Sequence, residues 1–167
     1  DQNFGISIFQ DCQIQAGEGG TLLIQGTGGQ GIGSSNLGPS MAGDNILVSG
    51  GGPVIVNGIE GGGTNGFGIY FAGLSTITTD SFGGNITLAA NSMITLGTIG
   101  TPDTNMVTLR PYTAGTTIHV GGNLDFIGGP LHLSDTELDF IRTGHLRIGS
   151  IQTDSICVKS DITRNDT

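Results

Sequence analysis

The sequence predicts an all-β fold: a right-handed parallel β-helix of about six coils, interrupted by one short helix. Three observations carry that expectation. A short apolar strand recurs at a fixed step, because Leu22, Leu23 and Ile24 return as Val54, Ile55 and Val56 and again as Ile86, Thr87 and Leu88, 32 residues apart each time. Glycine keeps the same step at Gly20, Gly52 and Gly84. Between those landmarks lie other short strand-like pieces with alternating apolar residues, which turns one face of each strand inward. Units of this kind bury a core only by stacking on their neighbours.

The whole chain, residues 1–167, reads as a single solenoid domain with repeat units at about 3–35, 36–64 and 65–92 and less regular coils over 93–167. The first unit offers strands at Gly5–Phe9, Cys12–Gln15 and Thr21–Gln25, with the glycine-rich stretch Gly26–Ser35 as a protruding loop. In the second unit Asn36–Met41 aligns with Asn3–Ile8. Pro39 lacks a backbone donor there, so this strand should be short or irregular. The third unit repeats the pattern through Phe67–Phe71, Thr76–Thr79 and Ile86–Leu88. Beyond Met93 the period fades, while strand patterns continue at Ile94–Leu96, Met106–Arg110, Thr117–Val120, Leu131–Leu133, His145–Ile148 and Ile156–Lys159. These suggest about three further coils.

The inward ladder is expected from Leu22, Ile24, Val54, Val56, Ile86 and Leu88, each contributing about 1.5–3 kcal/mol by burial. Ile24, Val56 and Leu88 should stack directly on one another. One segment breaks the β pattern. Ser134-Asp135-Thr136-Glu137 is a capping box, Leu138 and Ile141 follow at helical spacing, and Gly144 is a stop, which predicts a short helix over 135–142. On that helix Asp135, Glu137 and Asp139 form a solvated face. On a strand, the competing reading, they would line one side and could take calcium.

Composition excludes several function classes. The net charge is −9, and the first of only five Lys and Arg residues is Arg110, so no cationic patch exists for nucleic acid or anionic lipid. No run of 18 apolar residues is present, so no membrane insertion is expected. The glycine runs Gly28–Gly33 and Gly61–Gly63 lack the Gly-Lys-Ser/Thr ending of a phosphate loop and lack the aspartate of calcium-binding repeats, so no cofactor is implied. A polysaccharide-cleaving β-helix would need converging carboxylates. Asp11, Glu18, Asp44, Glu60 and Asp80 are instead scattered singly in turns, and the reading is non-enzymatic, with no metal site and no catalytic residues. His119, His132 and His145 recur every 13 residues and could stack, without metal-site spacing.

VTLRPYTAGTTIHVGG (Val107–Gly122) and LHLSDTELDFIRTGHLRIGS (Leu131–Ser150) resemble segments of large bacterial β-strand-repeat surface proteins, akin to filamentous-haemagglutinin-like adhesins. That resemblance implies an exported, non-catalytic β-solenoid at the cell surface. The expected function is therefore a secreted structural protein, the subunit of a self-assembling filament or surface coat. A glycan-binding adhesin module is the alternative, and a polysaccharide-cleaving enzyme is less favoured. Both ends, Phe4–Phe9 and Ile156–Lys159, read as ordinary strands without a cap, which predicts head-to-tail addition to other copies. Cys12 and Cys157 lie about five strand steps apart, roughly 24 Å at about 4.8 Å per step, beyond the ~7 Å reach of a disulfide. A disulfide between Cys12 of one subunit and Cys157 of the next is expected in such a stack.

Overall fold

The computed structural model describes residues 2–80, 83–122 and 129–164. Its architecture is that of a parallel β-solenoid whose first four coils each carry three short strands. The first coil holds β1 (Ile6–Phe9), β2 (Gln13–Glu18) and β3 (Leu22–Thr27), and the second β4 (Pro39–Ala42), β5 (Ile46–Gly50) and β6 (Val54–Ile59). The third holds β7 (Ile69–Ala72), β8 (Thr76–Thr79) and β9 (Ile86–Ala89), and the fourth β10 (Met93–Thr95), β11 (Thr98–Gly100) and β12 (Met106–Arg110). Then come β13 (Ile118–Val120), β14 (Leu131–Leu133), α1 (Asp135–Asp139), β15 (Ile141–Arg142), β16 (His145–Ile148) and β17 (Ile156–Val158).

Corresponding strands of successive coils pair in parallel, giving a first sheet β1-β4-β7-β10, a second β2-β5-β8-β11-β15 and a third β3-β6-β9-β12-β16. The residue step of the sequence is the register of the third sheet. Leu22 pairs with Val54, Val54 with Ile86, Ile86 with Val107 and Val107 with Leu146. Ile24, Val56, Leu88, Leu109 and Ile148 form the parallel ladder two residues on. From Ile86 to Val107 the step contracts to 21 residues, and from Val107 to Leu146 it lengthens to 39. The even period fades after Met93 because the fourth coil is short and the fifth carries an excursion.

That excursion is β13 and β14. They pair with each other and with β17 in a small fourth sheet ordered β14-β13-β17, with β14 lying against β10. The later strand, β14, is thus inserted beneath the earlier one, and the coils stop rising evenly. After Met93 the chain makes one complete coil and then a fifth. In the fifth coil α1 precedes β15 and β16, and no strand pairs with β10 on that side among the described residues.

One continuous core runs the length of the stack, from Ile8, Leu22 and Ile24 through Leu88 and Leu109 to Leu131, Leu138 and Ile141. Strand residues alternate between buried and half-exposed, as in β6 and β12. At the second-to-third-sheet corner coils approach so closely that side chains are excluded. A Cβ on Gly52 would meet the Gly20 carbonyl, and one on Gly84 would meet the Gly52 carbonyl, which is why glycine holds that column. The first-to-second-sheet corner is polar. Asn45 accepts from the Cys12 N–H at 3.0 Å and donates to the carbonyls of Ile8 at 3.2 Å and Ala42 at 2.8 Å. One coil further, the Ser75 hydroxyl donates to the Gly43 carbonyl at 2.8 Å.

Three local expectations need correction. Pro39 does not shorten its strand: β4 has the same four residues as β1 and β7. Pro39 opens the strand, and the ladder to β7 starts at Ser40, where the missing donor costs no bond. The Gly26–Ser35 stretch is a loop only from Gly28, because Gly26 and Thr27 close β3; its ends are tied down by the Gly28 N–H donating to the Ile59 carbonyl and by Ser34 bridging to Thr64, while Ile32 stands fully exposed. The helix ends at Asp139 with Phe140 as its C-cap. Ile141 and Arg142 leave it to pair with Ile99 and Gly100, because extending the second sheet satisfies more backbone groups than another helical turn.

Candidate functional site

The two ends of the solenoid are built differently. At the first coil β1, β2 and β3 are each the last strand of their sheet. Leu22 N–H donates to the Pro53 carbonyl, so Leu22 and Ile24 direct their backbone groups toward β6, and Leu23 and Gln25 direct theirs toward the open side. Inside this edge the apolar ladder ends with Ile8 at 7%, Leu22 at 8% and Ile24 at 8% exposure, against 0% for Leu88 deep in the stack.

The opposite end is covered over its first and second sheets. Ser134 caps α1 in a complete capping box. Fully buried Glu137 accepts from the Thr95 N–H at 3.1 Å, from the Ser134 N–H at 2.9 Å and from the Ser134 hydroxyl at 2.7 Å. Thr95 ends β10, so its N–H is the donor that a further strand of the first sheet would have used. Burial pushes the Glu137 carboxyl above the usual carboxylate range, against the pull of its three hydrogen bonds. Ile162 packs on the core, Thr163 bonds through its N–H and its hydroxyl to Asp135 at 2.8 and 2.9 Å, and the Arg164 guanidinium donates to the Ile141 carbonyl. The expectation of two uncapped ends therefore holds here only in part: α1 and residues 162–164 close the first and second sheets, while β16 and β17 remain terminal strands with Ile156 and Val158 exposed. The acidic trio lies on the helix, but its middle member is buried and serves the end of the sheet.

The thiols of Cys12 and Cys157 are free. Cys12 is exposed in the first coil, at the corner position that Asn45 occupies one coil on, and its thiol donates to the Phe9 carbonyl at 2.8 Å. Cys157 lies on β17 opposite His119, which pairs on its other side with His132. The two imidazoles meet edge to face with centroids 4.8 Å apart. Burial, then the neighbouring Lys159, lowers the pKa of His119; for His132 burial leads, followed by His119 and Lys159. His145 is elsewhere, on β16 opposite Met106. Among the described residues no group of three His, Cys, Asp or Glu side chains is placed to hold a metal ion, and no helix is long and apolar enough to cross a membrane.

The outer face of the first sheet carries a groove of about 460 Å³. Its walls are Phe4 and Phe9 of the first coil and Phe67 and Tyr70 of the third, and its floor is the second coil. Tyr70 pairs with Ser40 and Phe9 with Ala42, so the second coil presents two small side chains exactly where its neighbours present rings. No protein-family model, curated protein or solved structure matches the chain. The resemblance of 107–150 to large surface proteins thus rests on those residues alone, and the groove has to be read from its own chemistry. Sequence reasoning did not find it, because Phe9 and Tyr70 are 61 positions apart and only the register joins them. The available signal was the repetition of Phe4-Gly5-Ile6 as Phe67-Gly68-Ile69.

Proposed function

We propose that this chain is a non-enzymatic structural module of an extracellular surface, and that it assembles through the open edge of its first coil. The observation that carries the reading is the meeting of three terminal strands and the end of the apolar ladder on one face. Unpaired strand edges over an apolar cross-section are a template for addition. A low charge fraction of 11% and coils built on glycine and small polar residues support a secreted scaffold.

Head-to-tail growth would require the other end to accept that edge. There α1 and the segment 162–164 occupy the first and second sides, which leaves β16 and β17 as terminal strands. The first coil fits a second first coil better, because an isologous contact uses the same surface twice and closes at two copies. Asp11 and Glu18 lie on both partners' first coils, so salt should strengthen the pairing by screening their repulsion.

Sedimentation velocity over a concentration series tests this reading. A monomer–dimer equilibrium is expected, shifted to monomer by Gln25→Pro, which removes an edge-facing donor and spares the ladder to β6. A monomer at every concentration would refute assembly. A ladder on a non-reducing gel that collapses with reductant would instead establish head-to-tail stacking through Cys12 and Cys157.

A further inference from the structure

We propose that the groove on the outer face of the first sheet is a binding site for a neutral oligosaccharide. Aromatic ring faces carry negative charge density, and the C–H faces of a pyranose are weakly positive, so sugars stack on exposed rings. Here two ring pairs face each other across a small-residue floor. Phe4 and Phe9 meet edge to face at 6.1 Å, and Phe67 and Tyr70 lie tilted at 6.4 Å. The pairs belong to the first and third coils, two strand steps or about 9.6 Å apart, which lets a chain of sugars lie across the strands with one unit on each pair. The volume of about 460 Å³ falls within the range of ligand sites, about 300–1,000 Å³.

Two further features identify the occupant. Ser35 and Asn65 occupy the same rim position in consecutive coils, and both hold positive φ, 65° and 59°, a backbone strain uncommon outside glycine. Both residues line the groove, and a hydroxyl and a carboxamide are groups suited to sugar hydroxyls. Among the described residues no Asp, Glu, Lys or Arg lines it, and the protein carries a net −9, so a uronic or sulfated glycan would meet repulsion without a compensating cation.

The chain contains no Trp and only two Tyr, so Tyr112→Phe leaves Tyr70 as its one reporting fluorophore. In that background, titration with neutral hexasaccharides of glucose, xylose and mannose should give a saturable change in Tyr70 emission with at least one of them. Phe9→Ala should weaken that binding about tenfold or more. Phe9 is 46% exposed, so its truncation leaves the core filled, and unchanged thermal unfolding would show this. The proposal is overturned if none of these glycans saturates the signal up to the millimolar range, or if Phe9→Ala binds as tightly as its parent. Binding of oligogalacturonate or choline in place of every neutral sugar would overturn it as well.

Discussion

Replacing Glu137 by Leu tests whether a buried carboxylate closes the end of the first sheet. In the native protein its two oxygens take the Thr95 N–H, the Ser134 N–H and the Ser134 hydroxyl, all in a buried setting. Leucine would fill the space and orphan two backbone donors, at about 1–3 kcal/mol each. Part of that loss is returned, because a desolvated carboxylate no longer has to be kept ionised. The expected net loss is about 2–4 kcal/mol. Ser134→Ala, which removes the N-cap hydroxyl and keeps the carboxylate, should cost about 1 kcal/mol.

The pH dependence is a second readout. Burial raises the Glu137 pKa in the folded state, so the native protein holds this proton more tightly than the unfolded chain. Its contribution is complete below the unfolded value of 4.5 and is lost as pH rises through the folded one. Wild type should therefore lose stability relative to Glu137→Gln between about pH 4 and 7. Urea unfolding followed by far-ultraviolet circular dichroism at both pH values measures each effect. A Leu variant as stable as wild type at neutral pH would show that Thr95 needs no acceptor, and the closing role would be wrong.

The remaining predictions concern the ladder, the glycine column and the histidine pair. Leu88→Ala, fully buried between Val56 and Leu109, should destabilise by about 2–5 kcal/mol in urea titrations, whereas Leu23→Ala, on the exposed face of β3, should change stability by no more than ~0.5 kcal/mol. Gly52→Ala pushes a methyl group into the Gly20 carbonyl and should cost about 1–3 kcal/mol or more, seen as a lowered melting temperature. The folded pKa values of His119 and His132 are lowered, so their contribution is present above the unfolded value of 6.5 and is lost as pH falls below it. Hydrogen-exchange protection at β13 and β14, taken relative to the intrinsic amide rate at each pH, should fall on acidification from about pH 7.5 to 5.5, and His132→Gln should flatten that response.

The sequence by itself determined everything that depends on local period. The 32-residue step places Leu22, Val54 and Ile86 in register, and the column Gly20, Gly52, Gly84 marks the corner where coils leave no room for a Cβ. The capping box at Ser134 is equally local, since its partners are three residues apart. Contacts between distant residues were settled only by the tertiary structure. Nothing near Leu131 signals that β14 slips beneath β13, because both segments are short apolar strands able to pair at either level. Ile141 has helical spacing from Leu138, yet the free edge of β11 draws it into a strand. Glu137 reads as a surface acid until the Thr95 N–H, 42 positions earlier in the chain, is brought to it. The groove likewise exists only because the register sets Phe9 and Tyr70 on either side of a coil that offers Ser40 and Ala42. Repetition tells one coil how to lie on the next, but where the period breaks, at α1 and β15, the chain is shaped by whichever distant groups satisfy the edges of β10 and β11.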